Sequence, residues 1–367
     1  MKEEKYTCDI CHEEHDLSEL TYFDDSYLCA DCLRRETFIC RDCGDRHWND
    51  DSADGDLCQT CYDEDYVRCE RCDAVIHYDD ACYHEDEEYH DHPYCRDCFD
   101  MDEIIHDYYY KPEPIFYGDG PRYLGVELEL DDGGENEFCA SKLLDIANAQ
   151  KEHMYIKHDG SLDDGFECVT HPMTLDYHIN QMPWRAILNK AVAKGYLSHQ
   201  AGTCGLHVHI SRNALGANYE EQEATIAKIL YFYEKFWNEI LTFSRRTESQ
   251  AEHWARRYGG GIINPKETLK HAKNSHMGRY AAVNLENEAT IEMRIFRGTL
   301  KYNTFIATLQ MVDEICKVAI SLSDEFMQGL TWLDFVKGIA DDKQELINYL
   351  KEKRLYVNEP IRNEVEI

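Results

Sequence analysis

From Gly125 to Leu130 the chain alternates without a break: Val126, Leu128 and Leu130 are apolar, Glu127 and Glu129 acidic. Period two is the strand period, so both carboxylates leave one face of a β-strand and the apolar side chains the other. The same period recurs in Gly205-Leu206-His207-Val208-His209-Ile210, which puts two imidazoles on one face. It recurs again from Thr290, with Glu292, Arg294 and Phe296 on one side and Ile291, Met293 and Ile295 on the other. The first of these strands is expected to span 122–130, and further strands are expected at about 153–158 and through Glu167. Apolar residues recur at helical spacing over 137–150 and over 219–244, the longest helix expected, and helices are also read at 183–194, 301–323 and 331–353. The pattern predicts an α+β chain: an antiparallel sheet that converges its polar pairs on one concave face, with helices on its outer face.

The first 110 residues read differently. They hold 34 Asp and Glu against 9 Lys and Arg, and 13 of the 17 cysteines precede residue 100. Six Cys-x-x-Cys pairs form three units in register: Cys8/Cys11 with Cys29/Cys32, Cys40/Cys43 with Cys58/Cys61, and Cys69/Cys72 with Cys95/Cys98. The loops inside the units are 17, 14 and 22 residues, and both gaps between units are 7. Two such knuckles supply four thiolates for a tetrahedral metal, and this spacing favours three closed, structural Zn²⁺ sites over disulfides. Cross-braced pairing between neighbouring units stays open, as does the role of Cys82, His84, His90 and His92 inside the third loop, bystanders or additional ligands. The expected division is 1–106 for the three modules, 107–121 for a Pro- and Gly-containing linker docked by its aromatic residues, and 122–367 for the second domain.

Glu127/Glu129, His207/His209, Glu292/Arg294 and Glu167, gathered on one face, offer carboxylates and an imidazole that suit Mg²⁺ or Mn²⁺. Arginines beside such ions would balance a polyphosphate. Arg245/Arg246 and Arg256/Arg257 bracket a turn before Gly259-Gly260-Gly261, either solvated or closing over phosphates. No Gly-x-x-x-x-Gly-Lys-Ser/Thr motif is present, so a nucleotide would be held by another architecture.

Taken in order, Gly-Val-Glu-x-Glu (125–129), Asp-Gly-Ser-Leu (159–162), Cys-Gly-x-His-Val-His (204–209) and Glu-Met-Arg-x-Phe-Arg-Gly-Thr (292–299) resemble the amidoligase family, within the glutamine synthetase/glutamate–cysteine ligase fold. The resemblance covers about 122–310. It implies a metal-lined sheet funnel in which Glu129 and Glu167 hold one Mg²⁺, with Asp159 or Ser161 beside it. Glu127, His207 and Glu292 would hold the metal that meets the ATP phosphates, with His209 near the β/γ-phosphate and Asn284 on the cofactor side. Arg279, Arg294 and Arg297 would steady the transferred phosphoryl group and the substrate carboxylate. The implied activity is ATP-dependent carboxylate–amine ligation through an acyl phosphate. Two alternatives stand beside it: phosphotransfer to guanidino groups on the same fold, and an interaction protein with a degenerate ligase-like domain. The long adenine-binding and oligomerisation segments of glutamine synthetase are missing, so a dodecamer is not expected.

The net charge of -34 argues against a general nucleic-acid binder. The acidic modules suit a basic protein or peptide as substrate or partner. With no apolar run of membrane length and no signal-peptide pattern at Met1-Lys2-Glu3-Glu4-Lys5-Tyr6, a cytoplasmic protein is expected.

Overall fold

The computed structural model describes residues 5–83, 92–99, 103–259 and 264–356. His84, His90, Gly260, Gly261 and the tail at Glu364–Ile367, expected to be loose, lie outside the described residues. The chain divides into two compact units, Met1–Asp102 and Glu103–Ile367. No helix among the described residues is long and apolar enough to cross a membrane.

The first unit repeats one small motif. A hairpin (Lys5–Thr7 with Glu14–Asp16) presents the first knuckle, a second hairpin (Leu20–Phe23 with Ser26–Cys29) leads into the second, and the short helix Ala30–Glu36 follows. Thr37–Ile39 with Arg46–Trp48, Ser52–Asp54 with Leu57–Cys58 and the helix Gln59–Asp65 repeat it. Tyr66–Arg68 with Val75–His77 and the helix Arg96–Phe99 begin and end the third copy. The fully buried side chains in each copy are almost all cysteines, joined by Leu28, Leu57 or Tyr94. Such a core is too small to offset chain entropy, so the metal has to supply the cohesion.

The second unit is an α+β domain built on one seven-stranded sheet. Its strands are β1 (Ile105–His106), β2 (Leu124–Leu130), β3 (Met154–Lys157), β4 (Phe166–Thr170), β5 (Leu206–Ser211), β6 (Val283–Asn284) and β7 (Thr290–Met293), in the spatial order β1-β3-β4-β2-β5-β7-β6. All neighbours are antiparallel except β1 and β3, which run parallel, so the expectation of a wholly antiparallel sheet needs that correction. Ile105 and His106 extend the sheet although they precede residue 107. The segment after them is held by aromatic contact: Tyr110 stacks on His106 at 3.6 Å, and the buried Tyr117 stacks on Tyr177 at 5.3 Å.

One sheet face is apolar. Val126, Leu128, Leu130, Leu206, Val208, Ile210, Ile291 and Met293 are all 0–1% exposed. They join a single core with the helices, chiefly α1 (Glu137–Ala147), α2 (Trp184–Ala193), α3 (Tyr219–Lys235), α4 (Trp237–Ser244), α5 (Pro265–Asn274), α6 (Tyr302–Ser321) and α7 (Gln344–Glu352). Side-chain caps start several of them: Asn136, Asn218 and Asn264 each accept the backbone N–H three residues on, and Pro265 follows the last cap. The pattern at 219–244 is two helices, broken at Phe236 (φ -107, ψ 33), so the longest helix is α6. The 331–353 pattern likewise resolves into Trp332–Lys337 and α7, separated at Gly338.

Candidate active site

Cross-strand register assembles the polar face in three rows. Lys157, Glu167 and Glu129 are direct neighbours across β3, β4 and β2. The next row holds Tyr155, Val169, Glu127 and His207. The third holds Gly125, His209, Glu292 and Asn284. Opposed residues share a face, so alternation within each strand and pairing between strands together place six carboxylate or imidazole groups in one patch.

The patch floors a cavity of about 280 Å³. Within it the ligand atoms of Glu127, His207 and Glu292 all lie within 4.8 Å of one another. His207 Nδ1 is 3.4 Å from Glu127 Oε2 and 3.6 Å from Glu292 Oε1, and its Nε2 is 3.5 Å from Glu129 Oε1. His209 Nε2 lies 3.0 Å from Glu127 Oε1, and its Nδ1 3.2 Å from Thr290 Oγ1. Asn284 Nδ2 donates to Glu292 Oε2 at 2.8 Å, and Arg294 pairs with the other oxygen of the same carboxylate. Asn284 therefore orients Glu292 as well as lining the cavity.

Burial would raise the Glu127 carboxyl, but His209 and His207 outweigh it and hold it well below the usual range. Burial and the neighbouring Glu127 push Glu167 well above that range, against the pull of Lys157, whose Nζ sits 3.1 Å away. Glu292 is held low, against burial, chiefly by His209, with Arg294 adding to it. Of these three carboxyls the neighbouring cations hold two low and only Glu167 stays high. Oxygen ligands with one imidazole suit a hard ion such as Mg²⁺ or Mn²⁺.

The walls add cations. Arg279, Arg294, Lys157 and Arg246 line the cavity together with Asp159, Ser161, Thr203, Tyr108, Tyr280 and Trp254. Arg279 donates to the Tyr108 hydroxyl at 2.5 Å. Arg246 is 6% exposed, donates through Nε to Ile295 O at 3.1 Å, and leaves its inner NH1 without a hydrogen-bond partner. Burial lowers its guanidinium to about 10. Among the described residues Arg297 stands outside the cavity lining, with its backbone N–H donating to Ser244 O. The structure therefore gathers Glu127, Glu129, Asp159, Glu167, His207, His209, Arg279, Asn284, Glu292 and Arg294 around the cavity, and Arg297, outside that lining, bridges Gly205 beside it.

Two loops complete the cavity, and one buried carboxylate holds both. Asp131 accepts from the N–H groups of Asp132 (3.0 Å), Asp163 (3.2 Å) and Asp164 (2.7 Å), and from the Thr203 hydroxyl (2.6 Å). Gly165 makes this approach possible: a Cβ there would stand 2.0 Å from Leu130 O. Asp131, Lys157 and Tyr108 escaped the motif reading, and Arg246 entered it only as an arginine either solvated or closing over phosphates. Only Asp131 carried a usable signal, a third acid in phase with Glu127 and Glu129 just after Leu130.

The gathered residues span the matched family segment and its upstream strand. Residues 145–316 match the family described as "Putative amidoligase enzyme". The resemblance seen in the motifs holds, and the matched segment contains Glu167, His207 and Glu292, while Glu127 and Glu129 come from the strand preceding it. Among solved structures the chain is similar to a bifunctional glutathione synthetase from Pasteurella multocida, at 14% identity and a TM-score of 0.35. That likeness covers 63% of this chain and 46% of the other, so the chain spans less than half of that protein's length. No curated protein matches.

In the first unit the thiols group within units, not across them: Cys8, Cys11, Cys29 and Cys32, then Cys40, Cys43, Cys58 and Cys61, then Cys69, Cys72, Cys95 and Cys98. Cys29 N–H points at Cys8 Sγ (3.3 Å) and Cys58 N–H at Cys40 Sγ (3.4 Å). Burial pushes both leading thiols up, and the backbone amides outweigh it, holding Cys8 and Cys40 at about 6. A thiolate held by amides is the form a metal needs. Cys82 is outside these three sets, pairing its backbone with Tyr94, and His92 approaches Glu70 at 3.9 Å.

Proposed function

We propose that the Glu103–Ile367 unit is an ATP-dependent carboxylate–amine ligase with a glutamine synthetase-like sheet funnel. The observation that carries this reading is the Glu127–His207–Glu292 cluster, its ligand atoms within 4.8 Å of one another, walled by Arg246, Arg279 and Arg294. The donor set fits magnesium: Glu127, His207 and Glu292 would hold one ion, and Glu129 with Glu167 a second. Bound there, Mg²⁺ would supply charge neutralisation for the ATP phosphates.

The chain's own groups account for the rest. Arg294, fixed by Glu292, and Arg246, with a free N–H turned inward, neutralise the γ-phosphoryl group as it transfers to a substrate carboxylate. The resulting acyl phosphate is attacked by an amine, giving an amide, ADP and phosphate. Asp131 and its amide donors keep the Asp159–Ser161 and Thr203 loops over the cavity. The walls exclude bulk water, which would otherwise hydrolyse the acyl phosphate. The acidic cysteine modules, holding Zn²⁺, would bring a basic protein or peptide to the unit.

The test is chemical. Zinc-loaded protein is given Mg-ATP with pooled amino acids and peptides, and ADP release is followed beside mass spectrometry. The reading expects a product whose mass is the sum of two components less one water, with ADP in equal amount, and loss of both in Glu292→Gln. A phosphorylated product with no amide would contradict it.

A further inference from the structure

A second cavity in this unit is larger than the acid-floored one. It measures about 690 Å³ and lies at the ends of β5 and of the β6–β7 turn, against α3 and α5. Glu286 lines both cavities, so the β6–β7 turn is their shared wall. We infer that this second cavity receives the amine substrate as a lysine-like side chain, an alkyl chain ending in an ammonium, and presents it to the acyl phosphate past Glu286. The inference rests on the ligase reading and names the acceptor that reading leaves open.

Three features of the cavity select this occupant. Its mouth carries aromatic surface left in water, Phe116 at 55% exposed and Tyr219 at 68% with Lys273 already over its ring, which suits methylene groups. Its inner wall is apolar at Ile226 and Tyr258, both buried. Its charge is asymmetric. Arg212 and Lys273 are both engaged by Glu223, and Arg212 also donates to Leu285 O and Asn287 O. Glu286 and Glu288 have no ion pair among the described residues, and the lining sets three carboxylates (Glu223, Glu286, Glu288) against two cations (Arg212, Lys273), a balance of -1. A nucleoside triphosphate would meet repulsion there, whereas an ammonium would meet two free carboxylates.

Glu286 also answers a need of the reaction. An amine bound as its ammonium has no lone pair. The ammonium gives one proton to the Glu286 carboxylate, and the free amine attacks the acyl carbon. The C–N bond forms, the C–O bond to phosphate breaks, and the second N–H proton leaves with the phosphate.

Ligand-observed NMR titration of the zinc-loaded full chain tests the inference, using Nα-acetyl-lysine methylamide beside its norleucine counterpart. The lysine compound should bind saturably and the norleucine compound at least tenfold more weakly. Glu288→Gln, at an exposed position, should weaken the lysine compound at least fivefold and leave Mg-ATP affinity unchanged. Mg-ATP binding without preference for lysine overturns this inference alone. Equal loss of Mg-ATP affinity in Glu288→Gln assigns the cavity to the nucleotide and overturns it too. Absence of Mg-ATP binding in the wild type overturns the ligase reading and this inference with it.

Discussion

Replacing Asp131 by Asn keeps the side chain's shape and removes its charge. Asp131 is 1% exposed and accepts four hydrogen bonds through its two oxygens, Oδ1 from Asp132 and Asp164 and Oδ2 from Asp163 and Thr203. An asparagine has one oxygen, so two of the four donors must face an NH₂ group. Each lost charge-assisted bond is worth roughly 1.5–3 kcal/mol, and the retained pair weakens as the charge goes. Some relief comes from turning the Thr203 hydroxyl elsewhere, so the expected loss is about 2–4 kcal/mol. Thr203→Val removes a single donor and should cost about 1–2 kcal/mol. The assay is hydrogen exchange by mass spectrometry, read at 159–165 and 202–206, with urea unfolding of the second unit in parallel. Asp131→Asn should open both segments together, although they are about 40 residues apart in sequence, because one carboxylate anchors both. Unchanged exchange in either segment, or a loss no larger than that of Thr203→Val, would refute the reasoning.

Other outcomes follow from the same structure. Stripping the metal from the cysteine modules should unfold Met1–Asp102 and leave the sheet domain folded, since the module cores hold little beyond their own cysteines; retained amide protection after metal loss, checked by elemental analysis, would count against it. His178 is 0% exposed, with Nε2 3.0 Å from Leu124 O and Nδ1 accepting from Trp184, and burial lowers it to about 4. Its folded value lies below the unfolded one, so its contribution is complete above about pH 6.5 and is lost as pH falls toward 4, by about 3 kcal/mol in all; an imidazole NMR signal titrating near 6.5 would contradict this. Lys343 Nζ bridges Asp313 (2.6 Å) and Glu314 (2.7 Å), and Lys343→Met should cost about 3–4 kcal/mol by leaving buried carboxylates short of a partner, with thermal or urea unfolding as the measure and a loss below about 1 kcal/mol as the contrary result.

What the sequence disclosed was local and periodic. Alternation at 125–130, 205–210 and 290–295 put each polar pair on its own strand face, and the Cys-x-x-Cys register divided the modules. Which strands adjoin was not written in any one segment. Lys157 enters the site only because β3 pairs with β4, and Glu129 meets Glu167 only through register. Arg246 reads in the sequence as either solvated or closing over phosphates, and only the turn after Ser244 puts its side chain in the cavity wall. The break at Phe236 was invisible because the apolar period continues across it. The family motifs place Arg297 with these residues, and past Met293 the chain keeps pairing beside β5, with Arg297 bridging Gly205 and its N–H donating to Ser244 O.

The central claim is a working metal–nucleotide site on the sheet's polar face. Calorimetric titration of Mg-ATP into the zinc-loaded chain, beside Glu127→Gln, tests it most directly. Saturable binding in the wild type, weakened at least tenfold in the variant with the fold intact, is the predicted result. No binding in folded, zinc-loaded wild-type protein, or equal binding in Glu127→Gln, would contradict it.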